Sequence, residues 1–186
     1  MRKLFCALSL MSALVFALAV HAAAPANFAG TWTLDKSKSQ GLSGRMQNAE
    51  SVSWVITQTA KDITIEEKVT GGNPPAGGAP GGAGPGGGPG RGMGGGFGGP
   101  RTFNLDGSET SGDMGRGKFV RKATLSSDGK TLELVSKIMF QTQDGNEVTT
   151  TSTDKLTLSA DGKSLTVVRH SESPRGPQDS TLVFNK

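Results

Sequence analysis

The chain has 186 residues with 20 basic and 16 acidic side chains, and its single cysteine, Cys6, lies in an apolar N-terminal run. This small excess of positive charge does not indicate a nucleic-acid or anionic-membrane partner. Because no cysteine follows Cys6, disulfides, thiolate metal sites and thiol catalysis are excluded from the rest of the chain.

The first 22 residues have the pattern of a secretory signal peptide. Arg2 and Lys3 precede an apolar run over residues 4–20, and Ala22 ends a small-residue cleavage site. The run is marginal for a membrane-spanning helix, which needs about 20 apolar residues, so we expect cleavage rather than a retained anchor. We therefore expect a periplasmic or secreted protein of 164 residues with no membrane insertion after cleavage.

Period-two alternation of apolar and polar residues predicts β-strands in most of the remaining chain. Val52, Trp54 and Ile56 alternate with smaller or polar neighbours, and the residues from Leu132 to Phe140 keep the same rhythm. This pattern is typical of strands with one solvent-facing side. No segment of ten or more residues has helical spacing, and a short helix over 44–50 is left open. The predicted strands lie near 29–35, 51–59, 62–69, 101–105, 117–126, 131–141, 146–158, 163–171 and 179–185.

Residues 71–100 interrupt the predicted strands and hold 17 of the 28 glycines and 6 of the 9 prolines. They carry too few apolar side chains to offset the entropy of ordering them, so we predict a disordered Gly/Pro-rich insertion. The predicted organisation is a signal peptide over 1–22 and one β-barrel domain over 23–186, interrupted by this flexible loop.

Asp-Gly pairs at 106–107, 128–129, 144–145 and 161–162 are strong signals for hairpin turns. Two of them lie in near-repeats, Leu125–Leu132 and Leu158–Leu165, which indicate consecutive hairpins of one sheet. A meander of eight or nine antiparallel strands closes on itself because closure removes exposed edges. The predicted fold is all-β, a single antiparallel up-and-down β-barrel of 8–9 strands.

Both ends of the predicted mature chain resemble a group of uncharacterised exported bacterial proteins. Those proteins begin with Phe-x-Gly-Thr-Trp-x-Leu and Lys-Ser, as in the segment from Phe28 to Ser39. They end with Leu-Ser-x-Asp-Gly-Lys-x-Leu-Thr-Val-x-Arg and Val-Phe-x-Lys, as in 158–169 and 183–186. The group has no established activity, so the resemblance implies export and fold only.

The motif Gly30-Thr31-Trp32 is similar to the first-strand motif of lipocalins and fatty-acid-binding proteins. In those barrels the tryptophan closes the narrow end against a basic side chain from a late strand. The resemblance implies a lipocalin-like barrel in which Gly30 and Trp32 close one end and Arg169 or Arg121 covers Trp32 through a cation–π contact.

The sequence supplies little for catalysis or metal binding. His170 is the only histidine after residue 22, so a zinc site or a Ser-His-Asp triad would depend on that one imidazole. The segment from Gly112 to Lys118 matches the spacing of a phosphate loop, but Phe119 follows where Ser or Thr should bind magnesium. We expect no enzyme activity, no catalytic residue, no metal, no cofactor and no nucleic-acid partner.

Two functions remain as hypotheses. The first is a barrel that binds an apolar small molecule in its interior or mouth. The inward-facing alternation would then supply Trp54, Phe119, Leu134 and Phe140, with Arg121 as a polar anchor. The alternative is a non-enzymatic envelope or interaction protein in which such residues simply fill a packed barrel. A cavity of roughly 300 Å³ separates the two hypotheses, because a ligand site needs about that much space.

Overall fold

The computed structural model describes residues 26–71, 99–114, 117–142 and 145–186. They form ten strands and one short helix. The predicted signal peptide over 1–22 and most of the predicted insertion over 71–100 lie outside these residues. The strands are β1 (Gly30–Leu34), β2 (Ser51–Gln58), β3 (Asp62–Thr70), β4 (Arg101–Asn104), β5 (Thr110–Met114), β6 (Gly117–Leu125), β7 (Thr131–Gln141), β8 (Glu147–Leu158), β9 (Ser164–Ser173) and β10 (Gly176–Asn185), with α1 (Gly44–Asn48) between β1 and β2.

The strands form one antiparallel meander that curls back on itself. In the order β4-β3-β2-β1-β10-β9-β8-β7-β6-β5, each strand pairs with its neighbours, and the first strand pairs with the last. The end strands β4 and β5 lie near each other without a ladder of hydrogen bonds, so the barrel is nearly closed. The prediction of an all-β, antiparallel up-and-down barrel is confirmed, with ten strands rather than eight or nine.

The nine predicted strands are all present, with ends within three residues of the predicted ones. The strand missed in the sequence is β5, whose segment Thr-Ser-Gly-Asp-Met lacks apolar alternation. Gly112 pairs with Phe119 of β6, and a Cβ at Gly112 would lie only 2.8 Å from the Phe119 ring. The ring covers this glycine, so tertiary packing forms the strand where local propensity does not. The described residues of the phosphate-loop spacing therefore lie on the paired strands β5 and β6.

The two near-repeats form matching turns between β6 and β7 and between β8 and β9. In the second turn, the Asp161 carboxylate accepts hydrogen bonds from the Ser159 hydroxyl (2.5 Å) and from the Lys163 backbone N–H (3.1 Å). The backbone φ of Gly162 is +66°, a conformation that favours glycine. Both turns lie at the same end of the barrel, which we call the closed end.

The apolar core fills the half of the barrel next to the closed end. One row of directly paired residues there is entirely aliphatic: Leu132, Leu156, Val167 and Leu182. All four side chains are fully buried, and Trp54 packs on Phe184 with ring centroids 4.8 Å apart. The opposite end, toward α1 and the β9–β10 turn, carries a different set of inward-facing residues.

Candidate functional site

A cavity of about 630 Å³ occupies the half of the barrel opposite the closed end. Strands β6 to β9 supply one wall, and β3, the start of β4 and α1 supply the other. Apolar side chains and Arg45 of α1 line the region near the mouth, whereas most of the serines and the other arginines lie deeper. The lining side chains include Arg45, Met46, Glu67, Arg101, Met114, Phe119, Arg121, Ser136, Ile138, Thr150, Ser152, Arg169 and Ser171.

The short helix α1 stands at the mouth of this cavity. Its N-cap is Ser43, whose hydroxyl accepts a hydrogen bond from the Met46 backbone N–H at 3.4 Å. At the other end, the Lys36 ammonium donates to the backbone carbonyls of Gln47 and Ala49, where a cation complements the helix dipole. These contacts hold Met46, which is buried, against the cavity. The short helix that the sequence left open over 44–50 is present as Gly44–Asn48.

A buried charge cluster forms the floor of the cavity. Asp154 on β8 is 2% exposed and accepts two hydrogen bonds from Arg169 on β9, at 2.6 and 2.8 Å. Arg101 on β4 approaches the same carboxylate at 3.7 Å. Both guanidiniums also lie over the Trp54 ring, 5.5 and 5.6 Å from its centroid. The Trp54 indole N–H donates to Glu67 at 3.1 Å, so two cations and one acid contact this aromatic residue.

Burial lowers the pKa of Arg169, but the hydrogen bonds and charge of Asp154 outweigh it, so the pKa is raised overall. For Arg101, burial is the largest influence and lowers the pKa despite the attraction of Asp154. An arginine stays protonated through such shifts at neutral pH. The floor of the cavity is therefore an ion-pair network whose Asp154–Arg169 pair is satisfied internally.

Arg121 on β6 lies higher in the cavity and has no acidic partner among the described residues. Its guanidinium stacks on Phe119 with 4.1 Å between the guanidinium carbon and the ring centroid. Its buried Nε has no hydrogen-bond acceptor among these residues, and neither has the buried hydroxyl of Thr110, its pair on β5. Burial, and then the charge of Arg101, lower the pKa of Arg121. The cavity wall thus carries an uncompensated cation.

The five predicted ligand-binding residues fall in three places. Phe119 and Arg121 line the cavity. Trp54 and Leu134 are buried in the packed part of the barrel, at 0% and 2% exposure. Phe140 lies near the end of β7, is 37% exposed, and is not among the lining residues. Sequence reasoning missed Ser136 and Ile138, although they share the period-two face of Leu134 and Phe140.

The cation over Trp32 is Lys186, not Arg169 or Arg121 as the resemblance implied. The Lys186 ammonium lies 4.7 Å from the Trp32 ring centroid, and the indole N–H donates to the Phe28 carbonyl at 2.9 Å. Gly30 has a φ of +145°, and a Cβ there would lie 3.0 Å from the Lys186 side chain. The predicted pairing is wrong because Arg169 is held by Asp154 further inside the barrel, while the last residue reaches the closed end.

The surface near β9 and β10 carries the only histidine of the described chain, His170. Its Nδ1 lies 2.6 Å from Asp179, and its Nε2 lies 3.6 Å from Glu172. The hydrogen bond with Asp179 is the main reason why the pKa of His170 is raised. Within the described ranges there is no group of three or more metal-ligating side chains. No helix there is long and apolar enough to cross a membrane.

No protein-family model matches the chain, and no curated protein matches it. Among solved structures, it is similar to zebrafish ileal bile acid-binding protein complexed with cholic acid, with 12% sequence identity and a TM-score of 0.38. The match covers 86% of this chain and 98% of that one. Fold and site together define a β-barrel with an internal cavity. The resemblance to exported bacterial proteins stays a prediction.

Proposed function

We propose that this protein binds a small organic molecule with an apolar body inside its barrel. The observation that carries the proposal is the continuous cavity of about 630 Å³. Ligand sites in proteins start at about 300 Å³, so the space is large enough for a small molecule. Met46, Met114, Phe119 and Ile138 supply apolar contacts near the mouth.

The alternative of a packed barrel fits this interior less well. Solid packing does occur toward the closed end, where the paired Leu132, Leu156 and Val167 leave no exposed surface. Toward the mouth the side chains separate, and Ser136, Ser152 and Ser171 face open space. Close-packed protein interiors have few voids larger than a water molecule, so a cavity of this size favours binding.

We further propose that binding takes place outside the cytoplasm. The signal-peptide pattern over 1–22 supports export. The chain has no cysteine after residue 22, so it forms no disulfides there, and its stability does not depend on whether the compartment is oxidising. Mass spectrometry of the secreted or periplasmic fraction would test this, because the proposal requires a mature N-terminus at or near Ala23.

The binding proposal is tested by filling the cavity. Ile138→Trp places an indole in the cavity, so we expect the affinity for the neutral dye Nile red to fall at least tenfold. The matched control is Val168→Trp on β9, because Val168 is 51% exposed and does not line the cavity. Fluorescence titration measures both variants. The proposal fails if the unaltered protein does not bind the dye, or if the two variants bind it equally.

Native mass spectrometry of protein purified from its own host provides an independent test. A stoichiometric small molecule that dissociates on unfolding is expected. The same preparation of Ile138→Trp should carry much less of it.

A further inference from the structure

The cavity wall is organised in rows, because directly paired residues of antiparallel strands point to the same face. One row crosses five strands and consists of Thr110, Arg121, Ser136, Ser152 and Ser171; we call it the polar row. Four of its members line the cavity, and the Thr110 hydroxyl is buried at its end.

The rows on either side of the polar row differ from it. On the closed-end side lies the row Ala123, Leu134, Asp154 and Arg169, whose charges pair with each other. On the mouth side lies the row Phe119, Ile138 and Thr150, to which Met114 adds a further apolar side chain. The interior therefore changes from satisfied charge, through unsatisfied polar groups, to a mouth lined by apolar side chains and by the exposed Arg45 of α1.

The polar row contains hydrogen-bond donors that have weak acceptors or none among the described residues. Arg121 has no acidic partner among the described residues, whereas Arg169, one row deeper, has a bidentate one. The Ser152 and Ser171 hydroxyls make only long contacts, at 3.4 Å, with Asp154 and with each other. Ser136 is buried at 8% exposure with its side chain on the cavity. Buried polar groups cost free energy unless they are hydrogen-bonded, so this row is suited to a polar ligand group or water.

A guanidinium beside a set of hydroxyls is the donor set that an oxyanion prefers, because charge-assisted hydrogen bonds are the stronger kind. We propose that the polar row binds the anionic head group of an amphiphilic ligand, a carboxylate, sulfate or phosphate, with the apolar part directed toward Phe119, Ile138 and the mouth. This inference rests on the proposed function and adds the charge and the orientation of the ligand.

A pair of probes that differ only in charge tests the inference. We choose 11-(dansylamino)undecanoate and its neutral methyl ester, titrated by dansyl fluorescence at fixed ionic strength. The anion is expected to bind at least tenfold more tightly than the ester. Equal binding of both probes overturns the anionic subsite while the proposed function stands. If neither probe nor Nile red binds, the proposed function fails as well.

Variants locate the effect. Arg121→Met should bring the dissociation constants of the two probes within about twofold of each other. Lys122→Met is the matched control, because Lys122 is the next residue of β6, is exposed, and carries the same charge. It should keep the preference for the anion. A preference that survives Arg121→Met overturns the proposal. If Arg121→Met does not fold, Ser152→Ala is measured instead. The proposal requires that this variant prefer the anion over the ester less than the unaltered protein does, and an unchanged preference overturns the proposal.

A free anion is distinguished from a head group by competition. Sodium acetate or sodium phosphate, compared with sodium chloride at equal ionic strength, should displace the anionic probe less than twofold. Strong displacement by either salt would show that the row takes free anions, and would overturn the assignment to an amphiphile.

Discussion

Replacing the carboxylate of Asp154 is expected to cost more stability than any other single change of charge in the described barrel. The residue is 2% exposed and holds Arg169 by two hydrogen bonds of 2.6 and 2.8 Å, with Arg101 at 3.7 Å. Removing one partner of a buried pair leaves an unpaired charge, which costs about 3–5 kcal/mol. A domain has only about 5–15 kcal/mol in total, so Asp154→Leu should be folded but fragile.

The assay is equilibrium unfolding in urea, followed by tryptophan fluorescence. With a slope of about 2 kcal/mol per molar urea, a loss of that size lowers the midpoint by roughly 2 M. The double variant Asp154→Leu/Arg169→Met removes both partners and replaces them with apolar groups. It should be more stable than Asp154→Leu alone, because the stranded guanidinium is gone. The remaining cation, Arg101, still has Glu67 nearby.

The control is the neighbouring surface pair, Lys155 and Glu133, which lie 3.4 Å apart with side chains 57% and 39% exposed. Lys155→Met should cost less than about 1 kcal/mol, as exposed ion pairs do. The reasoning is refuted if Asp154→Leu costs no more than Lys155→Met. The single variant Arg169→Met completes the comparison. The reasoning is also refuted if the loss of unfolding free energy in the double variant equals the sum of the losses in Asp154→Leu and Arg169→Met, since strict additivity would mean that the two groups do not interact.

Three further predictions concern the surface. Hydrogen bonding, chiefly from the Ser37 hydroxyl, lowers the pKa of Asp35 to about 2 from its ordinary 3.8. The ionised Asp35 carboxylate should therefore stabilise the fold above pH 4, and this stabilisation should be lost as the pH falls toward 2. The urea midpoints of the unaltered protein and of Asp35→Asn should converge near pH 2, and a difference that stays constant with pH would contradict this. Asp179→Asn should lower the raised pKa of His170 toward 6.5 in an NMR titration, and an unchanged value would show that the 2.6 Å contact is absent in solution. Gly162→Ala, at a φ of +66°, should lower the unfolding free energy by about 1 kcal/mol or more. Gly44→Ala should not lower it, because a Cβ at Gly44 meets no atom within 4 Å and its φ is not positive. Equal thermal midpoints of the two variants would refute the contrast.

The barrel was predictable because its strands carry their own periodicity and its turns carry Asp-Gly. Local signals of this kind fix the strands and the order of the hairpins. Strand β5 was not predicted because its own residues do not alternate between apolar and polar. It is stabilised by pairing with β6 and by the Phe119 ring over Gly112, and neither contact can be recognised from the β5 segment alone. The same limit explains the error at Trp32, since the residue that meets its ring depends on how far the last strand runs past the first.

The candidate site was predictable only in part. Choosing large apolar residues from the inward face selected Phe119, which lines the cavity, but also Leu134, which lies in the packed half. Serines at the same phase were passed over because a lone serine on a strand carries no signal. Their meaning appears only when the register aligns Ser136, Ser152 and Ser171 from three strands into one row.

The contrast between Arg169 and Arg121 bears on the function of the whole interior. Both are inward-facing arginines on long strands, yet Arg169 has Asp154 as a bidentate partner and Arg121 has only the face of Phe119. A barrel built only for stability would repeat the aliphatic row of the closed end at the level of Arg121, because apolar side chains fill space without a desolvation cost. The uncompensated guanidinium and its neighbouring hydroxyls are tolerable only beside a space that holds water or a polar ligand group. The half of the barrel near the closed end therefore stabilises the fold, and the half near the mouth has the space that the proposed ligand requires.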